Sequence, residues 1–279
     1  MKFINKLKTS LDTKDSHVCV GLDSSYDRIP DLIKNGKTVS QAIFSFNKHV
    51  VDATHDLAVA YKANVAFYGG YGAEGLEGLR LPNEYIHSHY PEIPLFADCK
   101  RSEMGETVAM IEKEIFTWLG FDCVMVTPWF GFDTIRDYLK HEEHGVLVYV
   151  HDSNPTATEI QDLELKDGRR VYEEVARVAC GPWNVNGNVI VEAGATYPSA
   201  LLRVRQIVGE DMPILTAGLG IQGGNVQDIS QVFGKNKKRL LANSSRGIIF
   251  AGEGHSDYFA EVRSAAISFQ QQLYMVANH

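Results

Sequence analysis

Asp98 and Lys100 stand two residues apart at the end of the apolar run LFADCK. In an extended strand that spacing sends both side chains off the same face. Lys62 closes the preceding apolar run, AVAYKA, so if the two runs are neighbouring strands the outcome is a lysine–aspartate–lysine array at one end of a sheet. Fixed charges in an apolar surround stabilise charge that develops during a reaction, and they do so without a covalent intermediate. The other reading is a structural ion pair, although burying even a paired charge costs several kcal/mol. Glu103 and Thr107 follow at i, i+4 spacing, which predicts one shared face near the start of the helix leaving that strand. Taken alone, Glu103 would simply complement the helix dipole.

A second constellation lies near the C-terminus. Gly218-Leu219-Gly220-Ile221-Gln222-Gly223-Gly224 follows one apolar run, and Asn243-Ser244-Ser245-Arg246-Gly247 follows the next. Glycines let backbone N–H groups approach an anion closely, and Arg246 offers a planar, two-pronged donor. A glycine-rich turn by itself is ordinary turn chemistry, but paired with an arginine on the adjacent strand it predicts phosphate binding.

The elements that must position these groups are eight short apolar runs: HVCVGL from His17, LAVAYKA from Leu57, LFADCK from Leu95, CVMVT from Cys123, VLVYVHD from Val146, NVIVEA from Asn188, ILTAGL from Ile214 and LLANSS from Leu240. Their hydrophobicity is continuous rather than alternating, as in parallel strands covered on both faces. Helices are expected at about Ser40 to His55, Glu103 to Trp118, Asp133 to His141, Arg170 to Val178, Pro198 to Val208, Asn225 to Phe233 and Asp257 to Val276. The fold class is therefore α/β, a (β/α)8 TIM barrel in a single domain over residues 1–279. A doubly wound open sheet is the rival, and it loses because the charged and glycine-rich segments all fall just after strand ends, where barrel enzymes build their sites.

Composition narrows the classes further. An apolar fraction of 44% with no run near the ~18 residues of a membrane span, and a start without a signal-length apolar block, place the protein in the cytoplasm. A net charge of −8 argues against a broad nucleic-acid footprint while leaving room for a small anionic ligand. Cys19, Cys99, Cys123 and Cys180 form no CxxC pair and the ten histidines no HxH or HExxH set, so neither zinc nor redox chemistry is indicated. The cysteines read as buried free thiols.

The segment Asp98-x-Lys100 with Thr107 seven residues on, preceded by a strand-terminal lysine, resembles the signature of orotidine 5'-monophosphate decarboxylases, specifically the longer bacterial type. CVGLD, YKANVAFYGGYG, TPWFGFD, Asp152-Ser153-Asn154-Pro155 with Gln161, VEAGATYP and both glycine loops extend the likeness from about Val18 to Gly252. The resemblance implies cofactor-independent decarboxylation of orotidine 5'-monophosphate to UMP. Lys100 would protonate C6 of the pyrimidine as CO₂ leaves, Asp98 would lie against the substrate carboxylate, and Lys62 would complete the array. It also implies that Asp23 binds ribose hydroxyls, that Ser153 with Asn154 meets the base, and that Gln222 and Arg246, with Gly220, Gly223 and Ser245, hold the phosphate. A homodimer is implied, with Glu103 and Thr107 reaching into the partner's site. The chain departs from the family pattern in having Glu103 for an aspartate, Ala217 for a proline and His151-Asp152 for the usual threonine or arginine. Two alternatives follow: a superfamily relative acting on another phosphorylated substrate, such as a Mg²⁺-dependent sugar-phosphate enzyme, or a nucleotide-binding homologue with weakened catalysis.

Overall fold

In the computed structural model, which describes residues 1–220, 223–233 and 239–278, each of the eight apolar runs supplies one strand. The strands are β1 (Val18–Gly21), β2 (Ala58–Asn64), β3 (Leu95–Asp98), β4 (Cys123–Val126), β5 (Gly145–His151), β6 (Val189–Ala193), β7 (Ile214–Thr216) and β8 (Leu240–Ser244). All pairings are parallel and follow chain order, and β8 closes onto β1 through Val18–Ala242, Cys19–Asn243 and Val20–Ser244. The expected barrel is the observed architecture.

Register and a period of two sort the side chains into layers. Cys19, Ala60, Phe96, Met125, Leu147, Ile190, Leu215 and Leu241 belong to an interior apolar cluster that is separate from the larger one between strands and helices. Two residues further along the same strands come Gly21, Lys62, Asp98, Tyr149, Glu192 and Asn243. The strand alternation that fills the barrel with apolar atoms thus delivers a polar layer directly above them.

Two long helices escaped the sequence reading. Phe3–Thr13 closes the N-terminal end of the barrel: Phe3, Leu7 and Leu11 join the interior cluster, and Ser10 Oγ donates to the Val59 carbonyl at 2.7 Å. Gly72–His89 connects β2 to β3 and was masked by Pro82 and by glycines that lower helix propensity. Gly78 is there because a Cβ would come within 3.0–3.3 Å of Ile43 on the facing helix Val39–Thr54.

The segment after β3 differs from expectation. The helix begins at Glu106 and runs to Glu112, followed by a π-helical turn at Lys113–Trp118, so Glu103 lies in the preceding loop and not on the face that carries Thr107. Gly105, with φ 58°, makes the break between them. The expected helix at 225–233 is a 3-10 helix, Val226–Phe233. All four cysteines are free, with Cys19 and Cys123 buried. Among the described residues, no helix is long and apolar enough to cross a membrane.

Candidate active site

The polar layer opens at the C-terminal mouth into a cavity of about 710 Å³. On one side lies the charge array. Lys62 Nζ donates to Asp98 Oδ2 at 2.6 Å, and Lys100 Nζ donates to Oδ1 of the same carboxylate. The Lys62 and Asp98 side chains are 4% and 8% exposed against 39% for Lys100, which makes Lys100 the end of the array open to a ligand. Burial alone would push Asp98 up, but Lys62 and Lys100 hold it below the usual carboxylate range. Burial likewise works against the Lys62 ammonium, and the acidic surround, Asp98 first, outweighs it, raising its pKa above that of an ordinary lysine.

Lys100 is the one non-glycine residue at positive φ among those described, at 51°. That conformation costs about 1–2 kcal/mol and persists only where the surroundings fix it. Here the next residues are pinned: Arg101 N–H donates to the Met125 carbonyl, the Arg101 guanidinium takes both oxygens of Glu114 at 2.7 and 3.1 Å, and Ser102 Oγ donates to the Thr127 carbonyl at 2.8 Å. The turn holds the Lys100 ammonium against Asp98 and 5.2 Å from the centre of the Tyr149 ring.

Around the mouth from this array, Asp23 Oδ1 accepts the backbone N–H of Asn64 at 2.9 Å, tying the end of β1 to that of β2. The loop after β5 brings Asp152, Ser153 and Asn154 to the cavity. Asp152 N–H donates to Gln161 Oε1 at 2.7 Å, Tyr149 Oη donates to Asp152 Oδ1 at 2.9 Å, and Tyr197 Oη donates to the Asn154 carbonyl at 3.1 Å. The loop is therefore held from behind while its tip faces inward.

The opposite wall is made by the loops after β7 and β8. Gly218, Gly220 and Gly223 all adopt positive φ, at 91°, 76° and 97°. The N–H groups of Gly220 and Gly223 are spent within the loop, on the carbonyls of Gly224 and Gly220 at 2.8 Å each, so the glycines shape the turn and do not themselves present free donors. Gly220 lines the cavity and Gly223 does not. Ser244, Ser245 and Arg246 complete this wall, and Gly21 makes room for it: a Cβ there would sit 1.8 Å from Ser245 Oγ. Arg246 is exposed and, among the described residues, forms no ion pair.

Of the residues expected from sequence, Asp23, Lys62, Asp98, Lys100, Ser153, Asn154, Gly220, Ser245 and Arg246 come together on this one cavity. Glu103 and Thr107 are exposed and do not line it, and the Glu103 carbonyl accepts from Thr134 Oγ1 at 2.8 Å. Gln222 lies outside the described residues. The sequence reading missed Asn64, Tyr149 and Glu192 as lining groups, while Asp152 and Asn243 entered it only as members of their loops. The signal was present for Glu192, since it stands two residues beyond an interior apolar position, as Asp98 does.

A barrel with fixed, paired charges on one side of its mouth and, on the other, an arginine without an ion-pair partner among the described residues has the parts to anchor an anionic ligand at one end and act on it at the other. The family model described as orotidine 5'-phosphate decarboxylase / HUMPS matches residues 16–258, and the chain belongs to that family. It is 37% identical over 275 residues to the orotidine 5'-phosphate decarboxylase of Cellvibrio japonicus (strain Ueda107), with 98% of each chain covered. It is 37% identical over 280 residues to that of Ralstonia nicotianae (strain ATCC BAA-1114 / GMI1000), with 100% of each covered. Among solved structures it is similar to the OMP decarboxylase of Leishmania donovani, with a TM-score of 0.83, 28% identity and 100% of both chains covered.

Proposed function

We propose that this chain, as one barrel domain over residues 1–279 and paired as a cytoplasmic homodimer, decarboxylates orotidine 5'-monophosphate to UMP without a cofactor. The observation that carries the reading is the Lys62–Asp98–Lys100 array, buried at one end and open to the cavity at Lys100. In this account the substrate carboxylate sits beside Asp98. The bond from C6 to the carboxylate carbon breaks, CO₂ departs, the electron pair stays on C6, and a proton passes to it from Lys100 Nζ. Solvent then restores the proton to Lys100. The cation is in place before charge develops, so no reorganisation is needed at the moment of reaction.

The remaining walls divide the rest of the substrate. Asp23 takes the ribose hydroxyls, Ser153 and Asn154 the base, and Arg246 with Ser245 and Gln222 the phosphate, beside the turn that Gly220 and Gly223 shape. Glu103 and Thr107 serve the partner's site. Their exposure supports this, as does the company they keep: Met104, Met110, Trp129 and Phe130 are 50–63% exposed in the segments after β3 and β4. Exposed apolar side chains gathered in this way suit a subunit contact.

Incubation of the purified protein with orotidine 5'-monophosphate, with and without EDTA, tests the reading. UMP should form at the same rate in both. Absence of UMP, or formation abolished by EDTA and restored by Mg²⁺, would transfer the site to another phosphorylated substrate or to metal-assisted chemistry.

A further inference from the structure

Glu192 is a carboxyl group in the floor of the cavity that the proposed reaction leaves unused. It lies on β6, paired in register with Tyr149 of β5 and Leu215 of β7, two residues beyond Ile190 of the interior apolar layer. Its side chain therefore points into the barrel, where it is 2% exposed and lines the cavity. Oε2 is buried without a hydrogen-bond partner among the described residues. Among the described residues it has no ion pair: Lys62 and Lys100 each hold an oxygen of Asp98 instead.

The groups that share this interior are Cys19 and Asp23 from β1 and its end, Lys62 from β2, Asp98 and Lys100 from β3 and its end, Tyr149 and Asp152 from β5 and its end, and Asn243 from β8. β4 and β7 contribute Met125 and Leu215, which carry no charge. Asp23, Asp98 and Asp152 already outnumber Lys62 and Lys100. A fourth carboxylate there would be both desolvated and uncompensated, and such a group keeps its proton instead. The direction of its titration agrees: burial first, with Asp98 and Asp152 adding to it, pushes Glu192 up to about 8 against the pull of Lys62 and Lys100.

We infer that Glu192 is carried as a neutral acid in the unliganded site and that its O–H is the hydrogen-bond donor offered to the anionic ligand in the cavity. An acid that lines a ligand space while one of its oxygens finds no partner in the protein is free to serve as such a donor. A carboxyl kept protonated at neutral pH donates where a carboxylate only accepts. It follows that an anionic ligand binds the protonated form and that binding above pH 8 draws a proton from solvent.

The inference rests on the proposed function for its anionic ligand and for UMP as the probe. Carbon-13 NMR of the free protein with labelled glutamate carboxyls should show one resonance titrating near pH 8 that is missing from Glu192→Gln. If every glutamate in the wild type titrates below pH 6, the inference is overturned, whether or not the variant folds. Calorimetry of UMP binding at pH 8 to 9 in buffers of different ionisation enthalpy supplies the second arm. The wild type should take up a proton and lose up to about tenfold in affinity per pH unit above 8, while Glu192→Gln does neither. UMP binding with no proton uptake would overturn the donor role. A protein that shows the pH 8 carboxyl yet never binds UMP would instead contradict the proposed substrate.

Discussion

The two ends of the cavity are built in opposite ways. At the charge end, Lys62, Asp98 and Lys100 satisfy one another on two neighbouring strands, two of them almost wholly buried, with Lys100 locked in a left-handed turn. At the end proposed for phosphate, Arg246 is exposed and without an ion-pair partner among the described residues, on a wall where the N–H groups of Gly220 and Gly223 are turned into their own loop. The charge end is organised before any ligand arrives, and its cost is met by the rest of the fold. The Arg246 end leaves its electrostatic demand to be met by a ligand. Damage to the first should therefore register in folding and chemistry, and damage to the second in binding.

The largest effect should come from Asp98→Ala. It leaves Lys62 buried and unpaired, and removing one partner of a buried ionic group destabilises by about 3–5 kcal/mol, to be read from denaturant unfolding. The pH dependence has a definite sign. The folded pKa of Asp98 is lowered, so its contribution is full above the ordinary carboxylate range and disappears on acidification through the lowered value. The variant should lack that acid limb.

Arg246→Ala comes next and sharpens the contrast. UMP affinity should fall by roughly 2–3 kcal/mol, as for loss of a charged hydrogen-bond donor, with stability unchanged within about 0.5 kcal/mol. Unchanged affinity in calorimetry would remove Arg246 from the phosphate site. Arg246→Lys should recover only part of the loss, because an ammonium cannot make the two-pronged contact.

Glu103 tests whether the charge end is shared between protomers. Glu103→Ala and Lys100→Ala should each be impaired alone and should regain turnover when co-folded, since a mixed dimer contains one intact site. Failure to complement would place Glu103 outside the partner's site.

The last effect is thermal. Because the folded pKa of Glu192 is raised to about 8, its contribution to stability is present below the ordinary glutamate value and is lost as pH rises toward 8. Glu192→Gln should thus match the wild type at pH 4 to 5 and exceed it in Tm by roughly 10 °C at pH 8. A Tm difference independent of pH would contradict a neutral Glu192.

The sequence made the barrel legible because all eight strands are buried on both faces and read as unbroken apolar runs, and it made Asp98, Lys100, Lys62 and Arg246 legible because each breaks or ends such a run. What it hid has physical reasons. The helix Gly72–His89 depends on a close approach at Gly78 that propensity counts against it. Glu103 was drawn into a helix because i, i+4 spacing carries no information about Gly105, whose positive φ delays the helix start. Glu192 passed unnoticed although it stands two residues beyond Ile190 as Asp98 does beyond Phe96, because no second charge accompanies it at its strand end as Lys100 accompanies Asp98.

The most direct test of the division between the two ends is Lys100→Ala, measured for turnover of orotidine 5'-monophosphate and for UMP affinity on the same preparation. Loss of the proton donor and of its fixed charge should cost at least about 10³-fold in kcat while leaving UMP bound within about tenfold of the wild type. Turnover retained near the wild-type rate would contradict the account, because it would mean that the charge array is structural and that the chemistry lies elsewhere in the cavity.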